Sequence, residues 1–299
     1  MLLKSLKEKH LITPPSWLID NTHYLTVMGS QAYGVATENS DVDMYGFCIP
    51  PKDMIFPHLR GEIPGFGRQT KRFAQWQEHH IIDPDANAGS GQEYDFSVYS
   101  IVKYFQLCMD NNPNMIDSLF TPQDCVRHIT EVGQIVRDNR CIFLHKGSWN
   151  KFCGYAYAQL HKMSGKSKES KRYAMVVEYG YDLKFAYHVV RLICEIEQIL
   201  TTGDIDLRRD AELLKSIRRG EWTEDRVRLW FSEKERSLEH LYTDSDVIPY
   251  KPDEDAIKQL LLTCLESHYG NLSTVITDPN ATTAALRKIK DIVDAVTSK

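Results

Sequence analysis

Apolar positions recur along this chain at two spacings, and the spacing changes near residues 125–130. Before that point the pattern is strand-like. HYLTVM (His23 to Met28) is a short run of β-formers ending in Gly29-Ser30, and DVDMYGFCIP (Asp41 to Pro50) alternates until Pro50-Pro51 stops it. Both predict strands. Between them SQAYGVA has room for about two helical turns, and TENS has turn composition. From Pro51 to Gln92 glycine, proline and polar residues dominate, which predicts loops with one further strand near KRFAQW. EYDFSVY (Glu93 to Tyr99) alternates again and puts Glu93, Asp95 and Ser97 on one strand face.

A helix follows in SIVKYFQLCMD, where Ile101, Tyr104, Phe105 and Cys108 share a face, and Asn111-Asn112-Pro113 ends it. Asn114 is then placed to cap a short helix over MIDSLF. From about Thr130 apolar residues recur three and four apart in GYAYAQLHKM, YGYDLKFAYHVVRLICEIEQILTTG, EDRVRLWFSEKERSLEHLY, DEDAIKQLLLTCLESHYG and ATTAALRKIKDIVDAV, which predicts helices throughout. The expected fold class is α+β, with a mixed-sheet domain over residues 1–128 and an all-helical domain over residues 129–299.

Composition narrows the function classes. With 42% hydrophobic and 26% charged residues the chain is globular, and it contains no apolar run of membrane-spanning or secretory length, so a cytoplasmic protein with no membrane partner is expected. Seven scattered cysteines without a C-x-x-C pair predict neither a zinc ribbon nor a disulfide framework. A net charge of −5 excludes a protein that coats nucleic acid by bulk electrostatics and leaves room for a local basic patch. HKMSGKSKESKR, with His161, Lys162, Lys166, Lys168, Lys171 and Arg172, is the densest candidate; a solvated loop is the plainer reading.

The chemistry concentrates in LTVMGSQAYGVATENSDVDMYGF (Leu25 to Phe47). Asp41 and Asp43 are two apart in a predicted strand, so their carboxylates point the same way and repel unless a cation lies between them. Mg²⁺ (or Mn²⁺) suits such a site, because it takes hard oxygen ligands and bridges carboxylates to substrate phosphates. Gly29-Ser30 opens a helix after a strand, which lets backbone N–H groups and the Ser30 hydroxyl face a phosphate. Asp95 can complete a trio of acids for in-line phosphoryl chemistry. In the helical part Lys184, His188, Arg191 and Glu195 recur at i, i+4, i+7 and i+11, one stripe of a helix. That stripe reads either as a cationic wall for phosphates or as a surface stripe with Arg191 and Glu195 paired. Tyr33, Tyr45, Tyr155, Tyr157, Tyr173 and Tyr181 are candidates for stacking on a base or for packing.

"GSQAYG" followed by "SDVDMYG" resembles the signature of the DNA polymerase beta-like nucleotidyltransferase superfamily. With "YDFSVYSIVKYFQL", "NNPNMIDSLF" and "DLKFAYHVVRLICEIEQILTTGDIDL", the chain is similar to a branch of nucleotidyltransferases from bacteria and phages, some assigned to RNA repair. The resemblance covers about residues 20–210 in separated blocks. It implies that Gly29 and Ser30 bind the triphosphate of an NTP substrate, that Asp41 and Asp43 bind both metal ions, and that Asp95 is the third carboxylate. Glu93 on the same face is the alternative third acid, followed by Asp83 and Asp85, because a polar, glycine-punctuated insertion, IIDPDANAGSGQ, precedes Asp95. Lys184, His188 and Arg191 would hold the β- and γ-phosphates. An RNA 3′ end is the expected acceptor; a protein side chain or small molecule is the alternative, and an inactive nucleotide-binding module a third.

Overall fold

The computed structural model describes residues 1–37, 40–67, 69, 71–164, 173–270 and 289. In chain order these contain α1 (Leu2–Glu8), β1 (Thr22–Val27), α2 (Gly29–Ala32), β2 (Val42–Cys48), α3 (Lys52–Ile55), β3 (Gln75–Asp83), α4 (Ala86–Gly89), β4 (Gln92–Ser100), α5 (Ile101–Met109), α6 (Pro113–Phe120) and β5 (Val126–Ile129). Helices follow: α7 (Glu131–Asp138), α8 (Gly147–Met163), α9 (Tyr173–Tyr179), α10 (Leu183–Thr202), α11 (Ala211–Arg218), α12 (Glu224–Asp244) and α13 (Glu254–Tyr269). The fold class is α+β. A mixed five-stranded sheet runs in the order β3-β4-β2-β1-β5.

β2 and β4 pair in parallel, and the other neighbours pair antiparallel. A parallel pair needs a long crossover. Here the crossover is the glycine- and proline-rich segment after Pro50, and it carries β3 out to the sheet edge. β1 is buried along its whole length, its Thr22, His23 and Thr26 included. Ser100 ends β4 and caps α5 by accepting the Lys103 N–H.

Four local expectations need correction. The strand expected near KRFAQW starts only at Gln75 and continues to Asp83. A bulge between Glu78 and Ile81, with His80 at φ 58°, breaks its alternation, so the period-two pattern is lost exactly where the strand continues. β5 was not expected; it is a four-residue edge strand whose Arg127 and His128 disguise it. The cap of α6 is Asn112 rather than Asn114, because Pro113 takes the first helical position. The long helical pattern beginning at Tyr179 breaks at Gly180 to Asp182, where Asp182 Oδ1 accepts the Lys184 and Phe185 N–H groups at 2.9 and 3.3 Å and starts α10.

α10 lies at the centre of the helical part, with α8, α11 and α12 packed around it. It is buried on nearly every side. α13 returns to the sheet-bearing part and packs on α5 and α7. His268 Nδ1 lies 2.9 Å from His23 Nε2 in β1, and the Tyr269 hydroxyl donates to the Pro50 carbonyl. One apolar core runs from Leu3 to Leu265 through both parts. Six of the seven cysteines are buried, and burial raises the pKa of each of them, so they serve as packing. Among the described residues no helix is long and apolar enough to cross a membrane. Lys166, Lys168, Lys171 and Arg172 of the basic stretch, and nearly all of the last expected helix, lie outside the described residues.

Candidate active site

Asp41 stands immediately before β2 and Asp43 within it. The parallel register sets Asp95 of β4 opposite Asp43. As a result one ligand oxygen from each of Asp41, Asp43 and Asp95 lies within 4.8 Å of the others. The other acids considered for the third position are not part of this trio, although Glu93 forms a second group with His80 and Asp95. Glu93 is taken up by His80 Nδ1 at 2.7 Å, and Lys9 holds Asp83 at 2.7 Å and Asp85 at 3.2 Å. The glycine-punctuated insertion before Asp95 therefore does not displace it from the pair.

Bringing the three acids together has a cost in ionisation. Burial, then the charges of Asp41 and Asp95, push Asp43 up to about 6, and Lys184 and His79 partly offset this. The donor set is three hard carboxylates with one ionisation opposed, which fits a divalent cation such as Mg²⁺ or Mn²⁺.

The turn between β1 and α2 runs directly against this cluster. Gly29 has φ +65°, and a Cβ built on it would lie 2.3 Å from Asp43 Oδ2. The Met28 N–H donates to the Asp43 carbonyl at 2.7 Å, which fixes the turn to β2. Half-buried Ser30 follows in the first turn of α2. Gly29→Ala is expected to destabilise the protein by about 1–2 kcal/mol through its left-handed backbone and to weaken binding of Mn²⁺ at the cluster about tenfold or more by displacing the Asp43 carboxylate. Thermal denaturation with and without Mn²⁺ measures both; an Ala variant that is equally stable and binds the ion equally well removes the close approach from the account.

A cleft of about 350 Å³ opens beside Gly29 and Asp43. Tyr45 continues its sheet wall, and Lys162, Lys184 and His188 come from the helices opposite. Tyr155 also lines it. Tyr157 and Tyr181 do not: the Tyr157 hydroxyl donates to Glu235 at 2.6 Å, and the Tyr181 hydroxyl donates to the Trp222 carbonyl at 2.5 Å.

The stripe of α10 is not a surface stripe. Lys184 is exposed and His188 half-buried at the cleft, but Arg191 and Glu195 point inward and are each only 2% exposed. The reason is the position of α10, which leaves only its first turns open. Arg191 lines the floor of the cleft, and its Nη1 donates to Asp117 and, at 3.0 Å, to Glu195. Its guanidinium also lies 4.3 Å from the centre of the Tyr33 ring, whose hydroxyl donates to Asp117 Oδ2 at 2.8 Å. Burial pushes Asp117 and Glu195 up, and Arg191 opposes the shift in both.

Sequence reasoning passed over Asp117, although a single acid among Met115, Ile116, Leu119 and Phe120 is a signal of a buried pair. It also passed over His79 and His80. The bulge of β3 places His79 Nδ1 3.6 Å from Asp95 Oδ1 and lets the His80 N–H donate to that oxygen at 2.7 Å.

Comparison with known proteins places these features in a lineage. Residues 3–263 match the family RlaP, the RNA repair pathway DNA polymerase beta family. An uncharacterized 38.9 kDa protein from the nrdC-mobD intergenic region of Enterobacteria phage T4 is 25% identical over 137 residues, which are 45% of this chain and 36% of that protein. The chain thus matches about a third of that relative's length. A crystal structure of a nucleotidyltransferase-like protein from Exiguobacterium sibiricum 255-15 aligns over 80% of this chain and 73% of its own, at 10% identity and a TM-score of 0.28. Because the family match runs through every element that carries the three aspartates and the cleft, the chain belongs to the RNA repair pathway DNA polymerase beta family.

Proposed function

We propose that the protein transfers a nucleoside monophosphate from an NTP to a hydroxyl, releasing pyrophosphate, and that the acceptor is an RNA 3′ end. The observation that carries this reading is the convergence of Asp41, Asp43 and Asp95 beside a cleft whose opposite wall is cationic. The family's description supports RNA as the acceptor.

Asp41, Asp43 and Asp95 would hold Mg²⁺ or Mn²⁺, which supplies Lewis-acid stabilisation of the reacting phosphate and of the leaving pyrophosphate. Gly29 lets the backbone approach the triphosphate, and Ser30 adds a hydroxyl donor at the start of α2. Lys184 and His188 face the same phosphates from α10. Arg191 holds the floor of the cleft in place while its Nη1 donor stays committed to Asp117 and Glu195. The acceptor oxygen bonds to the α-phosphorus as the bridging oxygen leaves with pyrophosphate, and Asp95 assists removal of the hydroxyl proton. In this reading residues 1–128 form the catalytic domain, and residues 129–299 form the domain that closes over the nucleotide.

The test is transfer of label from each NTP, with Mg²⁺ or Mn²⁺, to single-stranded RNA ending in a 3′-hydroxyl. Labelled RNA is the expected result. No labelled RNA with any of the NTPs removes RNA from the reading, and label appearing instead in protein or a small product of a lysate reassigns the acceptor.

A further inference from the structure

We propose that a second groove, beside the nucleotide cleft and sharing Lys184 with it, binds the phosphate backbone of the single-stranded RNA acceptor; this rests on the RNA reading above. The groove encloses about 410 Å³. Its floor is apolar, made by Val35, Met175 and Leu183. Its rim is cationic, with Lys184, Lys215, Arg218 and Arg219. An apolar floor between cations suits a chain of bases and sugars flanked by phosphates, and it needs no particular sequence.

Three observations assign the groove to the acceptor. First, Arg218 Nη1 donates to the Val35 carbonyl at 2.5 Å, which ties α11 to the segment after α2, and Lys184 lines both the groove and the cleft that holds Asp43. Second, the rim cations are available for exchange. Lys215 pairs with Glu212 at 2.8 Å and Arg219 with Glu221 at 2.5 Å, but their side chains are 40% and 55% exposed. Exposed pairs of this kind contribute little to stability, so a phosphate can replace either carboxylate. Third, the opposite approach to Asp41 repels phosphate. The cleft of about 500 Å³ on that side is lined by Asp41, Glu93 and uncharged residues such as Asn87 and Ser90, with no cation among its lining residues. Of these two approaches among the described residues, the groove is the one a polyanion favours electrostatically, although the protein as a whole is acidic.

The test is the double variant Lys215→Glu/Arg219→Glu, which leaves Lys184 and Arg218 in place. The KM for a labelled-NTP transfer to single-stranded 3′-hydroxyl RNA is measured across a KCl series, and metal-dependent NTP binding is measured separately. The KM for RNA is expected to rise about tenfold or more, and the log–log salt slope to fall by about 1.4, from about 0.7 per lost single-strand contact. NTP affinity is expected to change less than about twofold. An unchanged RNA KM and slope in a folded variant overturns the groove alone, and an equal loss of NTP affinity reassigns it to the nucleotide. A wild type that binds NTP and metal but labels no RNA overturns the RNA reading and the groove with it. Should the charge reversal fail to fold, Lys215→Gln/Arg219→Gln carries the same expected fall in slope and decides the proposal in its place.

Discussion

Asp43→Asn is expected to lose the proposed nucleotidyl transfer by about a thousandfold or more, while the metal-free protein becomes more stable to heat at neutral pH. The two effects have one origin. Asp43 is pushed up to about 6 from its ordinary 3.8 by burial and by Asp41 and Asp95, so its folded-state pKa lies above its unfolded one. Below about pH 4 the carboxyl is neutral in both states and nothing is lost. As pH rises from 3.8 towards 6 the unfolded chain ionises first, and stability falls through that window. At about 1.4 kcal/mol per pH unit, the folded protein carries about 3 kcal/mol of ionisation strain at neutral pH, which an amide removes. Melting wild type and variant at pH 5 and pH 7.5 without metal should show the variant's advantage about twice as large at pH 7.5 as at pH 5. Adding Mg²⁺ or Mn²⁺ should then stabilise the wild type, increasingly with the logarithm of free metal above its Kd, and leave the variant nearly unmoved. A variant with wild-type transfer rates, or a wild type whose melting ignores both metals, refutes the assignment of the cluster.

Arg191→Met is expected to cost about 3–5 kcal/mol of stability, because it strands Asp117 and Glu195 in the core without a cation. Those side chains are 0% and 3% exposed, so water cannot take over. The loss should be smaller at pH 5 than at pH 8, since burial already raises both acids and each can accept a proton once its partner is gone. The triple variant Arg191→Met/Asp117→Asn/Glu195→Gln should recover much of the loss by removing the stranded charges. Urea denaturation at the two pH values measures this. A single variant as stable as wild type at pH 8, or a triple variant no better than the single one, defeats the account. Activity should fall in the single variant as well, because Tyr33, three residues after Ser30, is held by the same group through Asp117 and the guanidinium.

The parts of the site that were legible in the sequence are the local ones. Gly29, Ser30, Asp41 and Asp43 lie within one short stretch, and the alternation of EYDFSVY places Asp95 on a strand face without knowledge of the fold. Pairing β2 with β4 then needs only the register. What could not be read were contacts set by tertiary placement. Arg191 and Asp117 are 74 residues apart, and nothing in the period of α10 says that its middle turns are enclosed by three other helices. His79 and His80 reach Asp95 because a bulge breaks the very alternation by which a strand is recognised. β5 failed to register because a four-residue edge strand is too short for its pattern to outweigh two polar residues.

The return of α13 onto the sheet has a bearing on biosynthesis. His23 and His268 are 245 residues apart, so at ~5–20 residues per second the ribosome needs roughly 12 to 50 s after making one before it makes the other. Every aspartate of the cluster has been synthesised long before then, yet the apolar surface of α5 and α7 that α13 covers stays open. The nascent chain thus carries its reactive residues through a period in which its fold is incomplete, and burial of that surface waits on α13, which begins at Glu254, about 160 residues after Asp95.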